Sequence, residues 1–161
     1  MNIFVLDKNP EKAAKMLCDK HINKMIIESA QMLCATHWMR NSEAPYKLTH
    51  KNHPCSKWVR KSYGNYNWLL KHALAIAKEY EKRYERKHKT LEVLKWCKKN
   101  KPKLKLRKRT KFVQAMPDKY KDKDPVKAYR EFYLKEKLRF CTWRKTKIPK
   151  FVREYRKENS K

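Results

Sequence analysis

In the stretch CDKHINKMIIESAQMLC, residues 18 to 34, four polar residues, Asp19, His21, Lys24 and Glu28, interrupt an apolar pattern of helical period. On a helical wheel Ala14, Cys18, Ile22, Met25, Ser29, Met32 and Leu33 form one arc. His21 and Glu28 fall together at its edge, and Lys24 and Gln31 continue the polar strip outward. Seven residues of helix separate His21 from Glu28 by about 10 Å, too far for a mutual hydrogen bond but suited to gripping one nucleotide at two points. A carboxylate at the margin of a core can move protons where a phosphodiester or glycosidic bond is delivered. The same residues admit a plainer reading: Glu28 pairs with Lys24 at i,i+4, and His21 is a satisfied edge residue.

What would be delivered follows from charge. Forty-four Lys and Arg against sixteen Asp and Glu give a formal charge of +28 over 161 residues, so nucleic acid is the default partner. The cations are clustered: KKNKPKLKLRKRTK, residues 98 to 111, is a block that repels itself unless phosphates neutralise it. Arg107, Lys108 and Arg109 in that block, with Lys20, Lys24, Arg60, Lys61 and Lys137, are the candidate phosphate contacts. Trp143 in CTWRKTK is the candidate base or sugar contact, whereas the other aromatics repeat at helical spacing and read as core.

One core is expected from this length, hence a single domain over residues 1–161. Gly64 is the chain's one glycine, which leaves few positions for tight hairpins and favours an all-α fold. Asn9 before Pro10 starts a helix that can run to about Trp38. Pro54 opens a second long run to about His88, with a kink near Gly64. Asp124 before Pro125 starts a third. The expected architecture is about three main helices with long connecting segments.

Five cysteines with no CxxC pair suit free thiols in a reducing compartment. His50, His53 and Cys55 in HKNHPC are half of a metal pattern without a second half, so no metal and no cofactor is expected. MNIFVLD is too short and too soon acidic for a signal peptide, and no apolar run approaches a membrane span. A cytoplasmic location, of a host cell if the protein is viral, and a monomer are the resulting expectations.

DKHINKMIIE, residues 19 to 28, resembles the first-helix motif of the phage pyrimidine-dimer DNA glycosylase/AP lyase family, also called endonuclease V. That motif carries an acid, then a DNA-contacting histidine, then the catalytic glutamate seven residues later. The proline-led run from His53 and the segment AMPDKYKDKDPVKAYREFYLKEK, with Lys137, are similar to later blocks of the family in the same order. The resemblance implies Glu28 as catalytic carboxylate, His21 as a DNA contact and Lys137 as a phosphate contact. It also implies double-stranded DNA as the partner and a DNA-repair glycosylase acting on damaged or modified pyrimidines in it, with an N-terminal α-amine that forms a Schiff base with the sugar.

Ile27, Gln31 and Tyr133 stand where the family has arginines, and Asn2 where it has the threonine whose amine reacts. The nucleophile here would be the amine of Met1, or of Asn2 if Met1 is removed. An α-amine ordinarily titrates near about 7.7–8.0, so much of it is unprotonated near neutrality. Two other functions compete: a non-catalytic basic nucleic-acid-binding protein on the same fold, and a phage enzyme of pyrimidine base modification.

Overall fold

The computed structural model describes residues 1–160, and every regular element among them is helical. There are seven α-helices rather than three: α1 Pro10–Met16, α2 Asp19–Trp38, α3 Pro54–Lys61, α4 Tyr63–Tyr84, α5 Leu91–Lys99, α6 Pro125–Phe132 and α7 Lys150–Glu158. α4 is the central post, packed against α1, α2, α3 and α5. No helix among the described residues is long and apolar enough to cross a membrane.

Two of the expected long helices are broken, the first by tertiary caps and the second by a local Ser62 cap joined by one tertiary hydrogen bond. The first starts as expected, with the Asn9 side chain accepting from the backbone N–H groups of Glu11 and Lys12 and Pro10 at the first helical position. It stops at Met16, because Leu17 and Cys18 are extended. The guanidinium of Arg83, on α4, donates to the carbonyls of Lys15 and Leu17 at 3.0 and 2.7 Å and so satisfies the end of α1. The N–H groups that open α2 go to the Tyr133 hydroxyl, from Cys18, and to the Thr142 carbonyl, from Asp19.

The second break falls at Ser62 rather than at Gly64. Ser62 is extended, and its hydroxyl accepts from Asn65 N–H to start α4. Gly64 has an ordinary φ within the first turn of α4. Its missing side chain serves a close approach instead: a Cβ there would lie 2.3 Å from the Arg109 backbone nitrogen and 2.7 Å from the Arg107 carbonyl oxygen.

What lies against Gly64 is the basic block, which crosses the α3–α4 elbow as a strap. Leu106 C=O accepts from Tyr63 N–H at 2.7 Å, the Asn65 amide bonds Thr110 through both its oxygen and its nitrogen at 2.8 Å, and Lys111 C=O accepts from the Trp58 indole. Arg40 donates to Lys103 C=O at 2.9 Å on the other side. Because the backbone is held, the self-repelling side chains of the strap point into solvent.

The third helix begins as expected, with Asp124 capping Val126 N–H ahead of Pro125. It passes after Phe132 into a π-helical turn, Tyr133–Lys137, and then a 3₁₀ turn, Leu138–Phe140. Such wide turns often mark functional positions. This one turns Tyr133 into the core and leaves Lys137 at the surface of α2.

Candidate active site around Met1 and Glu28

The N-terminal segment is buried, which its apolar residues require, and a single side chain shapes it. Asn2 Oδ1 accepts from the N–H groups of Ile3 and Phe4, and Nδ2 donates to Ala115 C=O at 2.8 Å. This holds Phe4 at a φ of 36°, in the left-handed region. The Phe4 ring stacks on the His21 imidazole, with centroids 4.6 Å apart, and packs beside Phe132 and Tyr133. With the turn closed in this way, the α-amine of Met1 comes to rest 3.3 Å from Glu28 Oε1.

Glu28 projects from α2 into a cavity of about 210 Å³ lined by Met1, Asn2, Phe4, His21, Lys24, Met25, Phe132 and Lys137. Its Oε1 is buried and has no hydrogen-bond partner. The contact with the amine is therefore an ion pair without hydrogen-bond alignment, free to realign on a substrate. Lys24 Nζ stands 3.9 Å from Oε2 but is 65% exposed. The i,i+4 pairing is thus present as well, and at that exposure it contributes little.

His21 is fixed from behind. Tyr133 accepts from Cys18 N–H at 2.9 Å, and its hydroxyl lies 2.7 Å from His21 Nδ1. Burial pushes the Tyr133 phenol well above its ordinary range, so it stays neutral. The bond can run from the phenol O–H to Nδ1 or from Nδ1–H to the phenol oxygen, according to the imidazole tautomer, and either way it fixes the ring. The tyrosine that stands where the family has an arginine is thus the residue that orients His21.

Beside the amine lie two further groups. Burial pushes the Cys55 thiol up to about 12, against the opposing pull of the positive amine, so it is no rival nucleophile. Burial, and then the charge of the amine, lower the pKa of His53, whose Nδ1 accepts from Cys55 N–H. Neither joins a metal cluster: among the described residues no three His, Cys, Asp or Glu side chains gather in that way.

The structure brings Met1, Asn2, His21, Lys24, Glu28 and Lys137 to one cavity and leaves the other candidates outside its lining. Lys20 lies over the Phe140 ring, which itself meets His21 edge-on. Gln31 is half-buried, one turn further along α2. Arg60 donates to Lys51 C=O at the N-terminal side of α3, and Lys61 is exposed. Arg107, Lys108 and Arg109 ride on the strap, Arg109 over the Phe112 ring. Trp143 donates its indole N–H to Met16 C=O under Arg156, at the α1–α2 junction.

Asp19, the acid two residues before His21, faces away from the cavity. It is 3.2 Å from Arg83 and also accepts from the Thr142 hydroxyl and the Arg144 N–H. Sequence reasoning missed this network, and also Phe4 and Tyr133. The one available signal was that an apolar N-terminal segment must be buried somewhere.

A family model described as pyrimidine dimer DNA glycosylase matches residues 1–93. The chain belongs to that family. Its kind of activity is accordingly that of a DNA glycosylase, with DNA as the substrate class. The match takes in Met1, His21, Lys24 and Glu28, while Phe132 and Lys137, which complete the lining, and Ala115 and Tyr133, which hold Asn2 and His21 from behind, lie beyond it. Comparisons with curated proteins and with solved structures return no match.

Proposed function

We propose that this family member is a glycosylase with AP-lyase activity on damaged or modified pyrimidines in duplex DNA, in which the Met1 α-amine is the nucleophile and Glu28 the proton-transfer group. The observation that carries this reading is the amine 3.3 Å from an unbonded carboxylate oxygen inside a cavity. An amine that gives up its proton there attacks C1′ of the displaced nucleotide. The N–C1′ bond forms as the glycosidic bond breaks, and the base leaves with the bonding electrons and takes up a proton. Loss of one proton leaves a neutral nitrogen on C1′, whose lone pair opens the sugar at O4′; O4′ takes up a proton, and the product is an iminium at C1′ that still carries one N–H. Removal of a C2′ proton then expels the 3′ phosphate by β-elimination.

Glu28 serves each step by accepting or returning a proton and by stabilising positive charge on the sugar. The uncharged thiol and imidazole beside the amine do not compete with it. His21, Lys24 and Lys137 line the same cavity and suit the phosphates flanking the displaced nucleotide. Displacing that nucleotide costs a few kcal/mol, which phosphate contacts offset.

Ile27 is 38% exposed and Gln31 half-buried, so the surface around Glu28 is less cationic than the resemblance implies. The substrates to compare therefore include modified pyrimidines beside the dimer.

Borohydride trapping tests the chemistry. The protein is incubated with duplexes carrying an abasic site, a thymine dimer, a modified pyrimidine or no lesion, then reduced, and the adduct is mapped by mass spectrometry. An adduct on the terminal residue that disappears in Glu28→Gln is the expected result. Salt-dependent binding without any adduct would refute the Schiff base and leave a monofunctional glycosylase or a non-catalytic DNA-binding protein.

A further inference from the structure

At the far end of α2 the strap encloses a second cavity, about 470 Å³, lined by Arg40, Tyr63, Lys101, Pro102, Lys103, Leu104, Lys105 and Arg107. Its size falls in the range of about 300–1,000 Å³ typical of small-ligand sites. Its chemistry is mixed in a particular way. Pro102 and Leu104 supply apolar surface, Tyr63 supplies a half-buried aromatic ring backed by Tyr66 at 6.4 Å and 20°, and the remaining five residues are cations with no acid among them.

The walls are fixed rather than loose. Arg40 and Tyr63 N–H hold the strap at Lys103 and Leu106, and Gly64 admits it against the elbow. A rigid aromatic ring beside apolar surface, ringed by cations, suits a flat heteroaromatic base attached to a phosphodiester.

Twelve residues of helix and helix end separate Glu28 from Arg40, about 18 Å at helical rise. That distance spans about five base pairs of duplex at about 3.4 Å each. The cavity is too far away to receive the reacting nucleotide itself. A base at this distance is available without a second unstacking cost of a few kcal/mol where the strand is already unpaired.

We propose that the strap cavity is a second nucleic-acid site, which takes an unstacked nucleotide from a single-stranded segment adjoining the duplex that occupies the Glu28 cavity. It rests on DNA as the substrate and on no step of the chemistry. Its consequence is a preference for lesions near a junction, gap or frayed end over lesions in continuous duplex.

The test measures binding by fluorescence anisotropy, on duplexes carrying an uncleavable reduced abasic analogue. The duplex ends blunt, or continues about five base pairs from the analogue as a single strand of about four nucleotides on either strand. The expected result is binding at least about fivefold tighter with one of the two extensions. Replacing the extension's bases by base-free spacers of equal charge should remove that gain. Tyr63→Leu should remove it too, with blunt-duplex affinity unchanged, whereas Tyr63→Phe should retain it.

Equal affinity for blunt and extended duplexes would overturn the proposal. So would an equal gain from base-free spacers, which would make the strap a simple phosphate contact. The spacer arm uses the wild-type protein and so decides the matter even where Tyr63→Leu fails to fold. Because the DNA is uncleavable, the outcome is independent of whether borohydride traps an adduct.

Discussion

Asp19 and Glu28 are carboxylates nine residues apart on one helix, each about equally buried and each next to a cation, yet they occupy opposite kinds of site. Asp19 meets Arg83, which is fully buried and also contacts Glu79 at 3.1 Å. Both Asp19 oxygens have hydrogen-bond donors, and the remaining donors of Arg83 go to backbone carbonyls. Glu28 meets the Met1 amine, and the oxygen nearest to it has no hydrogen bond at all. A satisfied buried charge fixes where elements meet, while an unsatisfied one retains the capacity to bind something that is not yet there.

The sharpest way to break this comparison is to neutralise each acid's site in turn. Glu28→Gln keeps the shape and removes the proton acceptor. It should slow single-turnover strand cleavage by about 10²–10⁴-fold, while chemical denaturation shifts by at most about 1 kcal/mol, as expected for a site held below its stability optimum. Arg83→Met should do the reverse. Urea unfolding should show a loss of about 3–5 kcal/mol, because Asp19 and Glu79 are left as unpaired buried charges, and the fraction still folded should cleave at the wild-type rate.

A buried histidine extends the satisfied class to pH. His72 Nδ1 donates to Pro10 C=O at 2.9 Å, and burial holds the imidazole at about 4 against an ordinary 6.5. The folded state therefore resists a proton that the unfolded chain accepts. The stability His72 contributes is complete above pH 6.5 and falls as pH drops from 6.5 to about 4, by about 3 kcal/mol in all. Urea midpoints across that window should flatten in His72→Gln.

The smallest expected effect lies between the two classes, at Tyr133. Tyr133→Phe strands Cys18 N–H and frees His21 to rotate. It should cost about 1–3 kcal/mol of stability and weaken lesion-duplex binding only a few-fold. A wild-type affinity in this variant would show that stacking on Phe4 alone orients the imidazole.

Helix starts with their own local chemistry, Asn9–Pro10 and Asp124–Pro125, were legible in the sequence. So was the polar strip from His21 to Glu28, because helical period puts those residues on one side whatever packs against them. The breaks at Leu17–Cys18 and Ser62 were not legible. Apolar periodicity continues through both, and the distant groups that bond the helix ends there, Arg83, Tyr133 and Leu106, come from 43 or more residues away in sequence. Gly64 signalled an irregularity correctly but not its nature, since sequence does not distinguish a kink from a backbone crossing. Asp19 was legible as an acid of the motif, while its partner was hidden among the many arginines.

The Asn2–Ala115 bond has a further consequence, for the order in which the molecule assembles. The chemical groups proposed here all lie within the first 28 residues, yet the turn that presents the amine is held by Ala115, the imidazole by Tyr133 and the far wall by Lys137. During synthesis α3 can meet this segment early, Ser56 against the Met1 sulfur, but the groups that fix the turn and the imidazole follow only some 110 residues after it. The N-terminus of this protein is therefore among its last parts to become fixed, and cleavage competence should appear only with synthesis of the final third.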